Sequence, residues 1–416
     1  MFLDLVGTLV ARVLVLVSGV ATGIITANSL GPEGRGNYFL IVTLAQLCVQ
    51  IGHFGLASSN TYLVSKDKAK LRALAANSLW VAALSGVACS TVAIVLALPP
   101  LGDGVGPEHA ALLLMVPTTI YGLLSSNLLI GIGLTAWYNI STIFSSLLQL
   151  IAVSTAAYLR LDFVWMVWIS AAASTVSAAT FYFMLNRLGA SYWPIDVGQF
   201  LSNIPYSMKV YFATFVPFAV ARLNVAFVNY TGGAAEVGLY SVAAQIFDVL
   251  MIVPGSVALL IFPHLARDES AGSWYRTVKV TISVASAVAA GAIAIGFSAH
   301  YFLPLLFGER FAPAVPILLA MLPGAIAFAA LNILSQYLAA VGFPAATMWS
   351  WSGCLALLGI LDTFLVPQFG ALGAAASLSV AYAALAIALS AVATFHAWRP
   401  AELKSIKRTS RTWTRF

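Results

Sequence analysis

Apolar runs about twenty residues long recur from one end of this chain to the other, parted by short joints where charge, glycine and proline gather. A helix of about twenty residues crosses the roughly 30 Å hydrocarbon layer of a bilayer, whereas a membrane strand needs only about ten and alternates in polarity. Run length therefore selects an all-α integral membrane protein. Composition agrees: 61% of the 416 residues are hydrophobic and 8% charged, against about 25% charged in a soluble domain. The first run is too long for a signal-peptide core and has no basic stretch ahead of it, so it reads as a retained span. Cys48, Cys89 and Cys354 lie inside apolar runs and read as small core residues, without metal-type spacing.

Breaking the chain at its joints predicts twelve transmembrane helices, at about 5–30, 37–63, 73–98, 110–134, 140–160, 163–185, 207–230, 239–263, 277–298, 315–341, 348–366 and 371–395. The joints alternate in charge. Fifteen Lys and Arg, from Lys66 to Arg415, fall on one side, and only Arg35, Arg160 and Arg310 on the other, which sets both termini in the cytoplasm. The net charge of +6 is then mostly topology, and the tail KSIKRTSRTWTRF reads as an anchor on membrane lipids, with no nucleic acid as partner. NRLGASYWPIDVGQFLSN, the longest cytoplasmic connection, divides the spans six and six. The predicted layout is a six-helix bundle over 1–190, a linker over 191–206, a second bundle over 207–396 and a basic tail over 397–416. Six is even, so a repeat between the halves is parallel, related by an axis along the membrane normal, and polar stripes converging across that axis describe a central cavity. Glu33, Gly36 and Tyr38 are echoed by Glu236, Gly238 and Tyr240, and the first span of each half holds an arginine, Arg12 and Arg222.

Those arginines are the strongest pointer to function. A charge at mid-bilayer costs roughly 2.5–3.5 kcal/mol on insertion scales, so it faces a wet cavity or a partner inside the bundle. Two guanidiniums without evident partners suit phosphate oxygens, which they grip bidentately. Polar stripes at helical spacing accompany them: Thr43, Gln46, Gln50, His53 and Asn60 in span 2; Ser241, Gln245, Asp248 and Ser256 in span 8; Asn332 and Gln336 in span 10, beyond a bend at Pro323 and Gly324. Substrate-lining roles are assigned to Arg12, Arg222, Gln46, Gln50, His53, Asn60, Gln245, Asn332 and Gln336, and ion coupling to Asp248, a carrier of a proton or sodium ion. Two alternatives stay open: amides that merely join helices, and an Arg222–Asp248 pair that is a structural salt bridge.

The stretches ITANSLGPEGRGNYFLIVTLAQ, ARLNVAFVNYTGGAAEVGLYSVAAQ and YFLPLLFGERFAPAVPILLAMLPGAIAFAALNILSQYLAAVGFP, with GALGAAASLS opening span 12, resemble the polysaccharide flippase branch of the multidrug/oligosaccharidyl-lipid/polysaccharide exporter superfamily. That resemblance implies two bundles around a V-shaped cavity, alternating access, and a bacterial inner-membrane protein. It also implies transfer of an undecaprenyl-diphosphate-linked oligosaccharide between leaflets for exopolysaccharide, capsule or O-antigen synthesis, alongside a polysaccharide polymerase and glycosyltransferases and without a cofactor. Arg12 and Arg222 would then hold the diphosphate or a nearby sugar. The acid usual shortly after the span 7 arginine is replaced by Asn224, which separates this chain from members that couple ions there.

An exporter of small drugs from the same superfamily is the rival. A major-facilitator carrier is disfavoured, since the loop after span 2 reads SKDKAKLR and lacks that family's Gly-x-x-x-Asp-Arg-x-Gly pattern. So is an enzyme: the predicted outer loop at about 299–314 offers only His300, Glu309 and Arg310, and no HExxH, GxSxG, phosphate-binding loop or CxxC occurs.

Overall fold

A computed structural model describes residues 2–96, 105–267, 272–341 and 345–397. The basic tail from Arg399 onward lies outside them. The described residues form twelve α-helices and no strand: α1 (Phe2–Gly52), α2 (Leu56–Lys66), α3 (Leu71–Leu96), α4 (Pro107–Ala110), α5 (Leu112–Gly131), α6 (Thr135–Tyr158), α7 (Phe163–Arg187), α8 (Val197–Leu250), α9 (Ile252–Arg267), α10 (Gly272–Phe307), α11 (Ala314–Ala340) and α12 (Ala345–Ala397). Nine stretches of them are long and apolar enough to cross a membrane.

Three helices are too long for one crossing. α1, α8 and α12 hold 51, 54 and 53 residues, and about 75–80 Å of helix is more than twice the hydrocarbon thickness. Each breaks at one glycine: Gly31 (φ 68°, ψ −178°), Gly233 (φ 70°, ψ −173°) and Gly370 (φ 57°, ψ −137°). That conformation is essentially reserved for glycine, because a Cβ would collide with the backbone. Beyond it the arms fold back on each other, as contacts on either side of each break show: Thr26 with Arg35, Arg222 with Asp248, and Cys354 Sγ with the Ala381 carbonyl at 3.5 Å. The joints of several residues expected at these places are therefore single-residue turns. After Gly31 the next arm starts at once on Pro32, whose missing N–H and fixed φ suit a first helical position.

Three other boundaries move for local reasons. The helix α8 begins at Val197, inside the expected linker, because Asp196 caps it by accepting from Gln199 N at 2.8 Å. Asn77 of α3 pins that cap, donating to the Asp196 carbonyl (2.9 Å) and accepting from its N–H (3.1 Å). The loop expected at 299–314 is helical to Phe307, followed by a single turn at Glu309–Phe311. α8 ends at Leu250, the position whose carbonyl the ring of Pro254 would strike.

Buried apolar side chains gather in two clusters, one from Tyr38 to Ala190, the other from Val220 to Ala393 with Ala27. α1 and α8 meet between them. At the glycine end, Gly36 lies against the Ala234 carbonyl and Gly238 against the Pro32 carbonyl, so close that a Cβ at either would overlap main-chain atoms. Toward the other end, Gly55 abuts Ser207 and Tyr211, and Tyr62 stacks on Tyr206 with centroids 5.0 Å apart.

Candidate functional site

The seam between α1 and α8 is polar. Arg35, 5% exposed, donates from Nε to Ser241 Oγ (3.2 Å), from Nη2 to Gln245 Oε1 (3.2 Å) and from Nη1 to Thr26 Oγ1. Gln245 in turn donates to the Val20 carbonyl at 3.0 Å and fills the space over Gly23. Ser241, Gln245 and Asp248 thus form one stripe on α8, and its first two members are taken up in closing the seam.

Past Gln245 the seam opens. Nothing stands within 4 Å of a Cβ placed on Gly19. Arg12, Gly19, Gly23 and Thr26 follow one another at spacings of seven, four and three, so they share the face of α1 that meets Gln245. Val10, Val13, Leu14 and Val17, all more than 40% exposed, take the lipid-compatible side. Arg12 is exposed, with no hydrogen bond or ion pair among the described residues. Arg222 donates from Nη2 to Asp248 Oδ2 at 3.1 Å, through one of its five N–H groups, and the two side chains are 20% and 52% exposed. The ion pair weighed in the sequence is present, but it is a single-bonded and half-open one. One bond of five leaves the remaining N–H groups of Arg222 available to a second partner.

The two arginines are not equivalent positions. Arg12 stands nineteen residues before Gly31 and Arg222 eleven before Gly233, whereas the glycine pairs 31/233 and 36/238 and the tyrosines 38/240 keep one constant offset. Eight residues of helix separate the cations by roughly 12 Å in depth.

The other predicted residues are more scattered. Gln46 is exposed on the second arm of α1. His53 accepts from Gly55 N at Nδ1 (2.9 Å), which puts its proton on Nε2, facing Gln50 Oε1 at 3.3 Å; the pair caps the break before α2. Asn60 is buried and donates to Ser78 Oγ at 2.8 Å. Asn332 donates to the Phe328 carbonyl of its own helix (3.1 Å), and Gln336 is half-buried one turn on. At the expected bend, Ser379 Oγ accepts from Gly324 N (3.0 Å) and donates to the Ala320 carbonyl (2.6 Å), so a hydroxyl is inserted in the α11 ladder beside Pro323.

Sequence reasoning left two groups without a role. By sequence Arg35 reads as a loop charge; the signal against that reading is Gly31-Pro32, a turn residue followed by one suited to a first helical position, ahead of the apolar run from Tyr38. Asp362 is fully buried, its carboxylate facing Ser377, and it has no ion pair among the described residues. Asn224 is buried too, donating to the Ala374 carbonyl at 2.8 Å, with no partner for its own Oδ1 among the described residues. An anionic carboxylate so placed is costly until a proton or cation joins it.

No family model and no curated protein sequence matches the chain. Solved structures do. The lipid II flippase MurJ, in an inward closed conformation, aligns over 94% of this chain and 87% of its own with a TM-score of 0.71 at 14% identity. An inward-facing multidrug resistance MATE family transporter of the MOP superfamily aligns over 94% and 95%, TM-score 0.66, 13% identity. A MOP superfamily transporter from Pyrococcus furiosus aligns over 94% of each chain, TM-score 0.64, 12% identity. The fold is that of MOP superfamily transporters, the superfamily whose flippase branch the sequence resembles.

Proposed function

From this fold we propose a flippase that carries a lipid diphosphate-linked oligosaccharide from the inner to the outer leaflet by alternating access. The nine long apolar stretches then make twelve crossings, since the three bent ones cross twice. The two core clusters are the cores of two six-helix bundles, 1–190 and 207–396, joined by the linker 191–206. Both termini are cytoplasmic in an inner membrane, and the glycine end is the outer one. One observation supports the substrate reading: Arg12, unpaired among the described residues, shares the face of α1 that meets Gln245, and Arg222 spends one N–H on Asp248 of the same α8 stripe. The diphosphate binds these cations while its polyprenyl tail stays in the bilayer. A proton on Asp248 would release Arg222 to the ligand, which couples loading to ion uptake; Asp362 is a second group that a proton or cation could neutralise.

The half-open acid at Asp248 favours a second reading, a drug exporter, since an exposed carboxylate on the cavity wall suits cationic compounds. Vesicles reconstituted with the protein decide between them. A fluorescent polyprenyl-diphosphate sugar should reach the far leaflet at a rate that Arg222→Lys lowers about tenfold, because an ammonium cannot reproduce a bidentate grip, and that Arg222→Ala abolishes. Wild-type rates from Arg222→Ala, or movement of a lipophilic cation instead, would sink the flippase reading.

A further inference from the structure

Arg35 is a buried cation without an anion. Its three bonds go to Ser241, Gln245 and Thr26, all neutral; Phe39 lies 5.8 Å below the guanidinium, and no ion pair reaches it among the described residues. Neutral hydroxyls and one amide compensate a buried charge less well than a carboxylate or phosphate would. The helix adds to the deficit. Arg35 sits in the first turn of the arm that starts at Pro32, where the macrodipole is positive and disfavours a cation. Two of the three partners belong to α8, on the far side of the seam. Parting α1 from α8 therefore strips the guanidinium of most of its hydrogen bonds while holding it, on a rigid helix, at the wall of the space that opens.

Depth places it in a series. Measured from the glycine turns at 1.5 Å per residue, Arg12 lies about 28 Å away, Arg222 about 16 Å and Arg35 about 6 Å. All three adjoin one line of contacts, the face of α1 bearing Arg12 and Gly23 and the stripe of Ser241, Gln245 and Asp248 on α8. Three cations stand at steps of roughly 10–12 Å along one seam.

We propose that Arg35 is the outermost anion-binding residue of the transport path. In the state closed at the glycine end it latches α1 to α8; in the state open there, it takes the phosphate oxygens passed on from Arg12 and Arg222. Latch and ligand use the same N–H groups, so an arriving diphosphate competes with Gln245 and Ser241 and favours opening. This rests on the flippase reading of the same seam.

The latch and the ligand roles predict opposite signs. A latch alone holds the closed state, and weakening it raises the share of open molecules and tightens apparent ligand binding. Inorganic pyrophosphate is titrated by calorimetry, at low salt, against the full chain in nanodiscs. Thr26→Val with Ser241→Ala removes two latch bonds and should bind pyrophosphate as tightly as wild type or more so. Adding Arg35→Gln to that background should weaken binding about tenfold, and Arg35→Lys, which keeps the charge and serves if Arg35→Gln does not fold, should weaken it severalfold. Unchanged or tighter binding on loss of the guanidinium, with Arg12→Gln still weakening it, overturns the role of Arg35 alone. Wild-type protein that binds no pyrophosphate overturns the diphosphate reading, and this inference with it.

Discussion

The guanidinium of Arg222 is contested by two anions, its own Asp248 and the proposed phosphate. If the pair were purely structural, neutralising both members would remove the reason for either, and function would return. Because the pair is half-exposed and held by one bond, we expect the reverse. Arg222→Gln with Asp248→Asn should keep the melting temperature in detergent within about 3 °C of wild type and still fail to transport; recovered transport would assign the pair to architecture. At this scale the sequence was legible wherever a charge interrupts an apolar run, since its insertion cost singles it out. Arg12, Arg222 and Asp248 were found that way. Arg35 was not, because a charge flanked by Gly and Pro looks solvated until the one-residue turn at Gly31 is known to put it on a helix. The neutral polar side chains fared differently again: Asn60 and His53 have local partners that polarity and periodicity cannot distinguish from a lumen.

The seam of α1 and α8 is closed by main chain as much as by side chains. Gly36 and Gly238 leave no room for a methyl group, so Gly36→Ala must push the arms apart at the glycine end. The expected outcome is a leaky closure. With the native cysteines replaced and a single cysteine at the buried Ser241 position, a small thiol reagent should react several times faster in the Gly36→Ala protein. Equal labelling would show that the arms tolerate the methyl by sliding. Helix order and the places of the three glycine breaks were legible from run length, but the one-residue length of those turns was not. A joint is sought as a cluster of polar residues, and a single glycine in a positive-φ, extended-ψ conformation gives no cluster. The same blindness stretched the expected loop at 299–314, where apolar residues simply continue α10.

For the whole molecule, the charge asymmetry of its joints makes a topological prediction. Single cysteines at Lys68 and Glu309 lie at opposite ends of the bundle. In intact cells an impermeant thiol reagent should label the second and spare the first; labelling at Lys68 before lysis would invert the orientation. The recurrence of membrane-length apolar helices could be read because it needs only counting, whereas the differing depths of Arg12 and Arg222 needed the fixed points at Gly31 and Gly233. Those turns also bear on how the chain is made. Between arms 345–369 and 371–397 there is one glycine and no polar stretch that could rest in water while the second arm waits to be synthesised. For this pair, then, the expected route of insertion is as a preformed hairpin, the two arms leaving the insertion machinery together with contacts such as Cys354 with Ala381 already made.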